Sequence, residues 1–207
     1  MAARSQSILP TVIWVLLIAN GLIFAAQAIA PGLILTLGLW PIHDFQMYPS
    51  FKPWQLVSYA FLHGNLTHLF FNMFALWMFG MDLERVWGTQ RFTLYFAVCV
   101  IGAGLIQLAV STSGAAQGDV YPTIGASGGV FGILLAFGMM FPDRRILMLF
   151  FPVPIKAKYF VLFYGLLEFL FGVSGAQPGV AHFAHLGGML FGFLLIQYWR
   201  GKLPFKR

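Results

Sequence analysis

Six apolar stretches take up most of this chain, and they dictate its environment. They cover about 8–30, 65–81, 92–112, 127–141, 157–172 and 181–199, and all but one of the connections between them are short. A helix needs roughly 20 apolar residues to cross the hydrocarbon core of a bilayer, so each stretch is a candidate span. A soluble fold is excluded by charge: a hydrated shell takes about a quarter of the residues of a soluble domain. Here only 9% are charged and 59% are hydrophobic. The expected fold is an all-α polytopic membrane protein, with six transmembrane helices forming a single domain over 1–207. The long connection, Leu33 to Tyr59, carries Trp40, Tyr48, Trp54 and several prolines. That composition suits a folded segment at the membrane–water interface. The first stretch outruns a signal-peptide core, and Ala30-Pro31-Gly32 reads as a turn rather than a cleavage site. Cys99, the one cysteine, excludes an intrachain disulfide.

The basic residues fix an orientation. Arg4, Arg85, Arg91, Arg144, Arg145, Lys156, Lys158, Arg200, Lys202, Lys206 and Arg207 flank the spans on one side, and only Lys52 falls on the other. This asymmetry places both termini in the cytoplasm. It also assigns the formal charge of +6 to anionic lipid headgroups, not to nucleic acid. Short loops and a bare core point to the cell (inner) membrane.

With a cytoplasmic N-terminus, spans two, four and six all descend from the outer side. Each carries its unusual polar residues near its outer end: His68 and Asn72; Ser127 within Gly125-Ala126-Ser127-Gly128; His182 and His185. Polar groups are costly in hydrocarbon and mark functional positions, so their coincidence at one depth predicts a single site open to the outer side. Ser127 by itself reads two ways. A helix N-terminus offers free N–H donors and a positive dipole end to an oxyanion, but the same serine fits an N-cap in a small-residue packing motif. His185 adds a base. Gly128, Gly132 and Ala136 recur every four residues on span four, as Gly188 and Gly192 do on span six. Small residues let helix backbones approach closely, which would join Ser127 and His185 as nucleophile and base. His68 and Asn72, four apart and on one helix face, are candidate oxyanion donors, with interhelical hydrogen bonding as their structural alternative. His182 is expected to line the water entrance or serve as a second base, and His63 to lie at the mouth.

A third, acidic member is not expected. Asp82, Glu84 and Asp143 fall on the cytoplasmic side, and Asp44 and Asp119 in outer loops. Glu168, in span five, is expected to snorkel to the outer interface. The reading is therefore a Ser–His dyad. His63, His68, His182 and His185 raise a metal site, yet no HExxH pattern or suitably placed carboxylate accompanies them, so neither metal nor cofactor is expected. Two other functions use a similar polar cavity. One is a protein that binds and escorts membrane clients without turnover. The other is a small transporter or channel, which needs polar groups reaching both sides.

These residues, in this order, resemble the rhomboid family of intramembrane serine proteases, and the likeness covers nearly the whole chain. Gly125-Ala126-Ser127-Gly128 resembles the nucleophile motif, His68-Leu69-Phe70-Phe71-Asn72 the His-x-x-x-Asn motif, and Ala184-His185-Leu186-Gly187-Gly188 with Gly192 the catalytic histidine motif. The resemblance implies a six-helix core, a Ser127–His185 dyad, and cleavage of transmembrane segments of other proteins. It implies that Phe131 packs against the histidine and that the long first loop is interfacial. One departure stands out: Trp54-Gln55 occupies the place where many members carry Trp-Arg. Read as a polar loop residue, Gln55 is expected to tolerate alanine.

Overall fold

A computed structural model describes residues 10–147, 153–177 and 179–202. The expected start of the first span at Ile8, and Arg4, Lys206 and Arg207, lie outside the described residues. Among the described residues, five longer helices and one shorter one, α6, run in chain order: α1 (Thr11–Ile29), α4 (Leu66–Trp87), α5 (Thr89–Ala115), α6 (Ser127–Met140), α7 (Ala157–Ser174) and α8 (His182–Trp199). The first loop holds the short helices α2 (Leu33–Leu37) and α3 (Gln55–Ser58), the latter running into a single 3₁₀ turn, Tyr59–Phe61. A small antiparallel hairpin of β1 (Arg145–Leu147) and β2 (Pro154–Lys156) lies between α6 and α7. By length and composition, α1, α4, α5 and α7 can each cross a membrane, and α6 is a shorter apolar helix.

The chain starts and stops these helices with local chemistry. The Asn65 side chain accepts from the His68 amide at 2.8 Å and so caps α4. Gly88, at φ 79°, breaks the chain between α4 and α5. The α4 helix runs to Trp87, past the expected end at Met81, because its charged turn finds partners. Glu84 is fully buried and takes the amides of Val12 and Ile13, at 2.9 and 3.0 Å, as well as the Thr89 hydroxyl. A carboxylate thereby satisfies the open N–H groups that begin α1. Asp82 pairs with Arg85 and Arg144.

Short α6 stands at the centre. Nine of its 14 residues are buried, and it packs against α4, α5, α7 and α8. Its small residues permit this. A Cβ added at Gly188 of α8 would overlap the Gly128 carbonyl, and one at Gly132 would overlap Cys99 of α5. At Gly192 the nearest atoms belong to α5. They are those of Tyr95 and Cys99, so the small-residue stripe of α8 faces both α6 and α5.

The first loop is built into the bundle. The Gln55 carboxamide is buried, accepts from the Trp40 and Lys52 amides at 3.2 and 3.1 Å, and donates to the Thr36 carbonyl at 3.3 Å. This corrects the reading of Gln55 as a dispensable loop residue. The Trp40 and Lys52 amides depend on this one side chain, and the Thr36 carbonyl shares it with the Trp54 indole N–H.

Candidate active site

The site begins with the segment that enters α6. Leu39 and Thr123 exchange backbone hydrogen bonds at 3.0 and 2.8 Å, and the Gly125 amide donates to the Tyr59 carbonyl at 2.9 Å. Tyr59 is itself held through its hydroxyl, which donates to the Val100 carbonyl at 2.8 Å. Gly125 has φ +125°, and a Cβ there would press on His68 Nε2 at 2.7 Å. Only glycine fits on both counts. The chain then turns into α6 at Ser127, whose first-turn amides have no acceptor within the helix.

Ser127 Oγ lies 2.7 Å from His185 Nε2. That is hydrogen-bond reach, the separation a serine needs for proton transfer to a base. Phe131, one turn below Ser127, stacks on the His185 ring with centroids 4.2 Å apart and planes 7° apart. His68, Asn72, Ser127 and His185 all line one cavity of about 910 Å³. Its remaining wall is largely apolar, from Phe71, Ala75, Met78 and Phe79 on α4 to Phe160 and Tyr164 on α7. The Asn72 amide donates to the His68 carbonyl at 2.9 Å, one turn back. That bond uses one of its two N–H groups.

The four histidines fall into two pairs. His63 and His68 meet edge to face at 4.9 Å, and His63 is buried with no partner for either ring nitrogen among the described residues. His182 and His185 meet across a carboxylate that the sequence reading placed elsewhere. Glu168 does not snorkel to the interface. Its Oε2 lies 2.8 Å from His185 Nδ1 and 2.7 Å from His182 Nδ1, so an acid does stand behind the histidine of the expected dyad. The residue was missed because depth counted along separate helices gives no rotation. The available signal was the carboxylate itself, since an ionisable group within an apolar helix has by default a partner at the same depth. Glu168, His182 and His185 offer one ligand atom each within 4.8 Å of one another, a donor set that zinc accepts. In this structure those atoms hydrogen-bond among themselves.

The same region of sequence carries the family signal. The model of the Rhomboid domain matches residues 50–201. This chain belongs to the rhomboid family. Among its rhomboid relatives, "Rhomboid protein 1, mitochondrial" of Saccharomyces cerevisiae is 34% identical over 146 residues, which cover 67% of this chain and 40% of the relative. The "Presenilin-associated rhomboid-like protein, mitochondrial" of Rattus norvegicus is 29% identical over 194 residues, 90% of this chain and 49% of the relative. "Rhomboid protease GluP" of Bacillus subtilis is 31% identical over 140 residues, 68% of this chain and 25% of the relative. The chain thus spans half or less of the length of these rhomboids. The rhomboid match contains His68, Asn72, Ser127, Phe131 and His185 alike.

Proposed function

We propose that this chain is an intramembrane serine endopeptidase that cuts transmembrane segments of other membrane proteins. The observation that carries the reading is the 2.7 Å contact between Ser127 Oγ and His185 Nε2, on the wall of a large, mainly apolar cavity. Ser127 is the nucleophile. His185 takes its proton as Oγ attacks the scissile carbonyl, then returns it to the leaving amine, and water releases the acyl-enzyme. The Ser127 amide at the start of α6, with His68 and the free N–H of Asn72, holds the tetrahedral oxyanion. A helical substrate hides its carbonyls in its own hydrogen bonds, so the cut falls where small or helix-weakening residues let it unwind. Gly128 and Gly188 set the approach of α6 to α8, and Phe131 sets the plane of the His185 ring.

The topology belongs to the same proposal. One membrane domain carries its basic flanks on the cytoplasmic face of a cell membrane, with both termini there and the site open to the other side. Asp82–Arg144 and the pairing of Asp143 with Lys156 and Lys158 gather charge where α4 and α6 end and α7 begins, opposite the end that holds Ser127. The relatives with mitochondrial names make a mitochondrial membrane the second location to examine.

Labelling tests the function. Purified protein in detergent should react with a fluorophosphonate probe and should cleave a model transmembrane substrate. Ser127→Ala should lose both, and His185→Ala should fall to background turnover while remaining folded. A folded wild-type protein that binds membrane segments but neither labels nor cleaves would establish the non-proteolytic, client-binding reading instead.

A further inference from the structure

The Ser127–His185 pair leaves one problem open. A neutral imidazole carries its proton on either ring nitrogen, and only one tautomer can act as a base toward Ser127. Stacking on Phe131 at 4.2 Å fixes the plane of the ring but is blind to where the proton sits. We propose that Glu168 is a positioning residue for His185, holding the proton on Nδ1 so that the Nε2 lone pair faces Ser127, and that His182 holds Glu168 in place. The proposal rests on the serine-protease reading of this site.

Three distances form a chain. Ser127 Oγ to His185 Nε2 is 2.7 Å, His185 Nδ1 to Glu168 Oε2 is 2.8 Å, and Glu168 Oε2 to His182 Nδ1 is 2.7 Å. An ionised carboxylate only accepts, so the nitrogen facing it is the one with the proton. His182 completes the arrangement. Its Nε2 lies 3.1 Å from the Ala176 carbonyl, so both of its ring nitrogens face acceptors. His182 and Glu168 then make a nearly buried pair, with side chains 6% and 12% exposed. This pairing accounts for a carboxylate inside an apolar helix, where an unpaired charge is expensive. As Ser127 attacks, His185 gains a proton and becomes a cation against the same oxygen. That attraction grows only toward the transition state, which is the condition for it to raise kcat. The residues come from three helices: Ser127 from α6, Glu168 from α7, and both histidines from α8. No local sequence motif could contain the set.

The experiment compares wild type, Glu168→Gln, Glu168→Leu and Ser127→Ala in detergent. It measures kcat and KM for a fluorescent model transmembrane peptide, and the rate of fluorophosphonate labelling. Nitrogen-15 histidine NMR of the wild type reads the His185 tautomer directly. The expected results are Nδ1 protonated and Nε2 bare, and for Glu168→Leu a fall in kcat of about 100-fold, the scale of losing an effective general base. KM should change little, and labelling should slow in proportion. Glu168→Gln keeps an acceptor oxygen but loses the charge, so its kcat should fall by about tenfold, the difference between a charged and a neutral hydrogen bond. Unchanged kcat in either folded variant, a loss confined to KM, or a His185 protonated on Nε2 would overturn the proposal. The NMR readout decides it even where Glu168→Leu does not fold. A wild type without Ser127-dependent labelling would sink the protease reading, whereas Ser127-dependent activity that ignores Glu168 sinks only the positioning role.

Discussion

At Gln55, His68, Asn72 and His63 the consequences follow from single side chains. Gln55→Ala strands the Trp40 and Lys52 amides, while the Thr36 carbonyl keeps the Trp54 indole N–H at 3.0 Å. Leaving a buried polar group unpaired costs about 1–3 kcal/mol, so the variant should unfold at clearly lower denaturant in detergent, and a wild-type midpoint would refute the anchoring role. His68→Ala and Asn72→Ala should each lower kcat with little change in KM. One lost oxyanion donor costs roughly 2.7–4 kcal/mol in other enzymes, and with a backbone amide sharing the work the lower end is expected. Wild-type turnover in both variants would remove them from the oxyanion site. His63 should confer acid sensitivity. Burial, reinforced by neighbouring His68, pushes its imidazole from the ordinary 6.5 down to about 4. The unfolded chain then takes up the proton more readily than the fold between those two values, so stability is full above pH 6.5 and drains away as pH falls toward 4. Melting of His63→Leu in detergent should depend less on pH across that window than melting of the wild type.

The element that organises the bundle is α6, and it can be central only because it is thin. Gly188 lies directly against the Gly128 backbone, while Gly132 and Gly192 admit Cys99 and Tyr95 of α5. The Tyr95 hydroxyl then donates to the Gly132 carbonyl at 2.7 Å, tying α5 to α6 beneath the site. Gly188→Val drives a side chain into the Gly128 carbonyl and forces α6 and α8 apart at the level of Ser127 and His185. Misplacement of reacting groups by about 1 Å costs on the order of a hundredfold in rate. Cleavage by Gly188→Val should therefore drop at least that far while its helical circular dichroism persists, and near-normal cleavage would show that this contact does not set the Ser127–His185 distance. At the other end of the bundle, α4 extends beyond its apolar stretch because Glu84 has α1 to cap and Asp82 has Arg144 to bind.

For the whole molecule, the controlling quantity is depth. The 14 residues of α6 make about 21 Å of helix at 1.5 Å per residue, against roughly 30 Å of hydrocarbon. If the C-terminal end of α6 sits at the face marked by Arg144, Asp143 and Lys158, Ser127 lies several ångströms below the opposite surface. Hydrolysis needs water there, and the cavity bounded by His68, Asn72, Tyr121, Val180 and His185 is where it would enter. Ser127→Cys on a Cys99→Ala background should react with a membrane-impermeant thiol reagent from the outer face, more slowly than a cysteine placed at Asp119. Labelling from the cytoplasmic face alone would invert the topology.

The sequence by itself determined the helical membrane fold, the family, and which polar residues stand out. Partition into lipid depends on local composition, glycine spacing is visible along one helix, and the three short motifs around Asn72, Ser127 and His185 are contiguous. Tertiary structure decided the rest. Glu168 meets two histidines, Gln55 bonds three loop amide and carbonyl groups, Glu84 caps a helix more than 70 positions away, and Gly192 meets Tyr95 and Cys99 of α5. Each of these depends on how far one helix is rotated and shifted in depth against another. Those two parameters are set by the packing of all the helices at once, and no stretch of sequence carries them.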